Sequence, residues 1–246
     1  MIIKSIKSEI IKTNKVFLWI SIISMILSVA VLNVIYVYDH SFGTLKNTVL
    51  RDYIEVNNIL SGEVALVMPI LCIVVFAFIW TVDFEAECLN NIILGVTRRI
   101  WAISKIVVSG LMVILLFLLL GIGLTVLAIC FGSREVMTVS YIKQFSLLLA
   151  AGIPMIIWIL LTGLVSLSCK EFGKTVSVTL VIFLMFYIME NYFARLQGFF
   201  PTSSLIYIWG YGEMELLKKN IINVAFYTIL LFILLMRKVK KEEVGS

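Results

Sequence analysis

Six apolar runs, residues 16–36, 64–82, 106–130, 145–169, 175–193 and 221–236, hold a single formally charged side chain among them, Glu190. Long uncharged runs of this kind are at home in hydrocarbon. A helix rises about 1.5 Å per residue, so about 20 residues cross the roughly 30 Å of bilayer core with every backbone amide satisfied internally. The pattern predicts an all-α integral membrane fold of six transmembrane helices, the last marginal in length and borrowing from its flanks. With 61% of the 246 residues hydrophobic and 14% charged, six spans of about 20 residues consume roughly half of the chain. The connections are too short for an aqueous module of roughly 100 residues, so residues 1–246 read as one transmembrane domain.

The charges set an orientation. Most of the 20 Lys and Arg fall in the segments that share a side with both termini: Lys4, Lys7, Lys12 and Lys15; Arg98, Arg99 and Lys105; Lys170 and Lys174; Arg237, Lys238, Lys240 and Lys241. The positive-inside rule therefore predicts both termini in the cytoplasm. Ahead of the first run, Ile2, Ile3, Ile6, Ile10 and Ile11 recur at helical spacing with Lys4, Lys7 and Lys12 on other faces. Residues 2–15 thus read as an amphipathic helix lying in the inner interface among anionic headgroups. The run after it lacks a small-residue cleavage pattern and reads as a retained span. Trp19, Trp80 and Trp101, with Tyr36 and Tyr38, suit either aromatic belts or ordinary packing.

Several function classes lack their residues. A net charge of +5 would invite nucleic acid, yet the bases are scattered among loops with no aromatic interleaving, so no nucleic-acid partner is expected. Cys72, Cys88, Cys130 and Cys169 show no CxxC spacing and read as small apolar residues. The single histidine, His40, has no companion at metal-ligand spacing, and neither a G-x-S-x-G elbow nor paired carboxylates within a span occur. No catalytic residue, metal site or bound cofactor is therefore expected. With no G-x-x-x-x-G-K-[ST] loop, any ATP, with its Mg, belongs to a partner chain. Glu190 lies about 24 Å up a helix from Lys174, where it reads as an interfacial carboxylate reaching water. That leaves no acid relay of the kind that marks proton or ion pathways.

The segment 83–105 between the second and third spans is the densest mixed cluster. Phe84, Cys88 and Ile92 recur on one helical face while Glu85, Glu87, Asn90 and Asn91 lie elsewhere, and Gly95 offers a stop before Arg98, Arg99 and Lys105. A short amphipathic helix followed by basic residues suits docking in a groove of a soluble protein; it equally suits an interfacial connector.

These acids, Asn90, the run Gly95-Val96-Thr97-Arg98 and Lys105 resemble the first cytoplasmic loop of type-2 ABC transporter permeases, in particular the small six-span permeases of bacteriocin (lantibiotic) immunity and antimicrobial peptide export. The resemblance extends to the interfacial helix, the short second inner loop with Lys170, Glu171 and Lys174, and a long outer segment, 194–220. It implies a permease subunit in the cell membrane, bacterial in origin, that moves an amphipathic or lipophilic substrate. Partners implied are separate ABC ATPase subunits, a second permease chain, identical or different, and membrane lipid. Glu85, Glu87, Asn90, Asn91, Gly95, Arg98, Arg99 and Lys105 would dock the ATPase, and Lys170, Glu171 and Lys174 would make a lesser contact. The outer segment would form short re-entrant helices around Phe199, Phe200, Pro201 and Trp209. The alternatives are a substrate-binding membrane subunit of a vitamin-type importer, or a multi-span binding protein of another kind.

Overall fold

A computed structural model describes residues 3, 6, 7, 9 and 10, and residues 63–85, 97–131, 152–193, 199–202 and 214–244. Among these the regular structure is entirely helical. Five helices are bounded: α1 (Glu63–Glu85), α2 (Arg98–Phe131), α3 (Met155–Cys169), α4 (Phe172–Tyr192) and α5 (Met214–Val244). All but α3 are long and apolar enough to cross a bilayer, which is compatible with a membrane protein. The span expected at 16–36 lies outside the described residues.

Helix ends and the charge-marked ends of the apolar runs do not coincide. Charged side chains mark where hydrocarbon stops, but Asp, Glu, Arg and Lys do not break a helix. Helix α1 accordingly runs through Asp83 to Glu85, α2 begins at Arg98, and α5 begins at Met214, all inside segments that the sequence assigned to connections. Of the segment 83–105, residues 83–85 belong to α1 and residues 98–105 to α2, and residues 86–96 lie outside the described residues. The run 145–169 behaves differently. A turn at 152–154, whose amides at Met155, Ile156 and Ile157 bond carbonyls three residues back, precedes α3. Pro154 disfavours helical geometry in the residue before it and has no amide to donate, so α3 is bounded at Met155.

Helix α3 is the hub. Its 15 residues include ten buried ones, and it packs against α1, α2, α4 and α5. A helix apolar all round is stable only when enclosed on all sides. Around it, Cys72, Ile73, Phe76 and Trp80 of α1 and Phe183 of α4 are fully buried. By contrast, Val181, Leu184, Met185 and Ile188 on α4, and Ile222, Phe226, Ile229 and Ile233 on α5, face outward. Those stripes recur at helical spacing and are of the kind that lipid tails satisfy without a protein partner.

A two-residue link joins α3 to α4. Lys170 adopts a left-handed conformation, φ 55°, and its amide bonds the Ser166 carbonyl to cap α3. Glycine is the residue best suited to that conformation. Lys170→Gly is expected to raise stability by about 1 kcal/mol, read as a higher thermal midpoint in detergent.

Candidate functional site at the charged end of the bundle

The C-terminal end of α1 and the N-terminal end of α2 meet around one buried ammonium. Lys105 is fully buried, and its Nζ donates to Glu9 Oε2 at 2.6 Å, Asp83 Oδ2 at 2.7 Å and the Ile79 carbonyl at 2.6 Å. Three donors find three acceptors, so the ammonium is saturated. Asp83 Oδ2 also accepts from Trp101 Nε1 at 2.8 Å, and Lys105 Nζ stands 5.7 Å from the Trp101 ring centroid. The local architecture follows from spacing: Ile79 and Asp83 lie four apart on α1, and Trp101 and Lys105 four apart on α2, so each pair shares a helical face. Helix dipoles help, since an ammonium favours the C-terminal end of α1 and carboxylates favour the N-terminal end of α2.

Aromatic rings enclose the cluster. Trp101 packs edge-on against Trp80 and Phe84, with centroids 5.8 and 5.9 Å away. Both tryptophans are buried, so packing, and not a membrane-facing belt, is their role here. Trp80 in turn lies against Gly163 of α3. The N-terminal residues join through Glu9, which is 4% exposed, and Ile6, which packs on the core, whereas Ile3 and Ile10 remain exposed. Within the expected interfacial segment, Glu9 is therefore held to the bundle by an ion pair and Ile6 by packing.

The same end carries further links. Glu85 Oε1 accepts the Phe172 amide at 2.7 Å, and Phe172 packs edge-on against Phe78 at 6.4 Å. Lys238 of α5 donates to the Leu164 carbonyl at 3.3 Å and to Ser168 Oγ. Glu171 and Lys174 form an exposed ion pair that contributes little to stability.

The sequence-derived site residues divide accordingly. Glu85, Arg99, Lys170, Glu171 and Lys174 are exposed at this end, and Arg98 is partly buried at the start of α2. Lys105 is withdrawn from any surface, and Phe84, expected on a docking face, packs against the core. Glu87, Asn90, Asn91, Gly95 and Trp209 lie outside the described residues. At the opposite end Phe199 is exposed, Phe200 half-buried and Pro201 buried. Glu190, expected to reach water, is fully buried. Glu9, Asp83 and Trp101 carry the charged cluster without standing out in the sequence as site residues. Their one signal is that Glu9 is the lone acid among the bases of residues 1–15.

Chemically the cluster binds three segments together. A saturated ammonium offers no lone pair for base or nucleophilic work, and two carboxylates against one ammonium leave the group formally anionic. No protein-family model matches this chain, and no curated protein matches it.

Proposed function

We propose that this chain is the membrane-spanning permease subunit of a type-2 ATP-binding cassette exporter, built from six spans with both termini in the cytoplasm of a bacterial cell. Two permeases, identical or different, would enclose the route between them. Separate ATPase subunits would bind ATP and Mg and attach at the charged end, while this chain hydrolyses nothing itself. The cargo would be amphipathic or lipophilic, such as an antimicrobial or bacteriocin-like peptide.

One observation carries the reading. The hydrogen bond from the Phe172 amide to Glu85 Oε1 joins the two segments that the family resemblance assigns to ATPase contact. Residues 87 positions apart in sequence thereby belong to one surface, with Lys170, Glu171 and Lys174 exposed next to Phe172 in the chain and Arg99 exposed at the start of α2. Buried beneath it, the Lys105 cluster fixes α1 against α2. A docked ATPase that closes on ATP would then tilt both helices together instead of bending one connection.

The test is co-purification with an ABC ATPase subunit from the cells that make this chain. Arg98→Glu together with Arg99→Glu is expected to reduce recovery of that ATPase at least tenfold while leaving membrane insertion unchanged. Equal recovery, with unchanged stimulation of ATP hydrolysis, would remove the docking assignment.

A further inference from the structure

The end of the bundle opposite Lys105 holds a polar face on α5. Asn220, Asn223 and Tyr227 stand at i, i+3 and i+7, and so share one side of the helix. Two of them hold main-chain carbonyls of the 199–202 turn: Asn223 Nδ2 donates to Phe200 O at 2.8 Å, and Tyr227 Oη donates to Phe199 O at 3.0 Å. Phe200 also packs against Phe186 of α4, centroids 5.7 Å apart. One helical turn further along that α4 face lies Glu190, fully buried. Three elements therefore converge here around side chains rich in hydrogen-bonding capacity.

The third member of the α5 row is unfilled. Asn220 is fully buried, and neither its Nδ2 nor its Oδ1 has a partner among the described residues; the same holds for Oγ1 of the fully buried Thr202 in the turn. A carboxamide removed from water without partners costs several kcal/mol, and native structures rarely leave one so. We infer that this face is a binding site for an extended peptide backbone, with Asn220 as its reader and the 199–202 turn as its clasp.

The chemistry selects a peptide. A carboxamide presents a donor and an acceptor side by side, and one residue of an extended peptide presents its own N–H and C=O on the same side. The two match in two parallel hydrogen bonds. An isolated secondary amide, whose N–H and C=O point in opposite directions across a trans bond, satisfies only one of them at a time. An ordered water meets both atoms less rigidly and is the competing occupant. Asn223 and Tyr227 already bind backbone carbonyls on the same face, so release of the turn would present an incoming strand with three readers in a row. That a peptide is the molecule encountered in the membrane rests on the permease reading. The binding itself needs only this chain.

The experiment uses the full chain in detergent without any ATPase, so its outcome is separate from the docking test. The probe is N-acetyl-trileucine amide, compared with the same peptide N-methylated at each of its three leucines. The wild-type chain is expected to bind the unmethylated probe at least tenfold more tightly than Asn220→Leu does, and methylation is expected to remove that difference. Thr202→Val is expected to weaken binding severalfold. The thermal midpoint supplies the second readout. Because Asn220→Leu removes unpartnered polar atoms and not a hydrogen bond, it is expected to leave the midpoint unchanged or raise it. Equal binding by wild type and Asn220→Leu, which is the outcome if water alone fills the site, overturns the inference. So does a midpoint lowered by several degrees in Asn220→Leu, which would mean that the carboxamide is paired within the chain.

Discussion

Lys105→Met is expected to destabilise the bundle by about 3–5 kcal/mol, because it strands the buried carboxylates of Glu9 and Asp83 without the ammonium that both of them contact. A buried ion cluster is weak evidence of stabilisation in itself, since desolvation of the charges offsets much of their attraction. Breaking it from one side is a different matter. Two like charges then remain in a region of low dielectric with their common partner gone. Removal of one acid is milder: Glu9→Gln leaves a one-to-one pair between Lys105 and Asp83 and is expected to cost about 1.5–3 kcal/mol, the range for a hydrogen bond to a charged group. The triple variant Glu9→Gln, Asp83→Asn, Lys105→Met replaces the charges by neutral groups of similar volume. It is expected to recover most of the loss. Thermal unfolding in detergent checks the order: Lys105→Met lowest, Glu9→Gln intermediate, the triple variant near wild type. Lys105→Met unfolding at the wild-type midpoint would mean that the ammonium does not neutralise these carboxylates.

The cluster also marks what was legible in the sequence and what was not. Helix α1 and most of α2, α4 and α5 follow from hydropathy, because a bilayer makes a long uncharged run and a helix nearly equivalent. Position along the helix was also legible. Glu190 sits near the end of α4 that lies away from Lys174, as its spacing requires. Its rotation about the helix axis was not legible, and rotation decides between water and burial; the contact of Phe186 with the 199–202 turn orients that face inward. Lys105 poses the same difficulty. At the head of an apolar run it reads as a flanking base, and its burial depends on Glu9, 96 positions away, and on α1 and α2 crossing with two particular faces together. Helix boundaries failed for another reason. Polarity locates the edge of hydrocarbon, so Arg98–Phe131 and Met214–Val244 run past the limits that charge alone suggests. The Gly152 and Pro154 signal before α3 was present in the sequence, but the apolar run around it masked the break. At the charged end the residue types can be read from the sequence, whereas the bond between Glu85 and the Phe172 amide cannot, because one of its partners is backbone.

Gly163→Ala is expected to cost about 1–3 kcal/mol, although alanine favours a helix over glycine by about 1 kcal/mol. A Cβ at this position would stand 2.7 Å from Trp80 Cζ2 and 2.8 Å from Trp80 Cε2. Those are ring atoms of a fully buried side chain and cannot swing aside as the tip of a flexible chain would. Trp80 has its other face committed, packed edge-on against Trp101, whose indole nitrogen holds Asp83. Displacement of Trp80 therefore loads the ion cluster as well as the α1–α3 contact. Gly163→Val adds two more carbons and is expected at or above the upper end of that range. The close approach of two helices at a glycine is a common packing device in membranes, and here it sets how near α1 comes to the hub. A double-mutant cycle isolates the contact. Trp80→Phe removes indole bulk and leaves space, costing stability by itself, and Gly163→Ala added to it fills part of that space. The pair is expected to lose at least 1 kcal/mol less than the sum of the two single losses. Additive losses would mean that Gly163 is needed for some reason other than the ring above it.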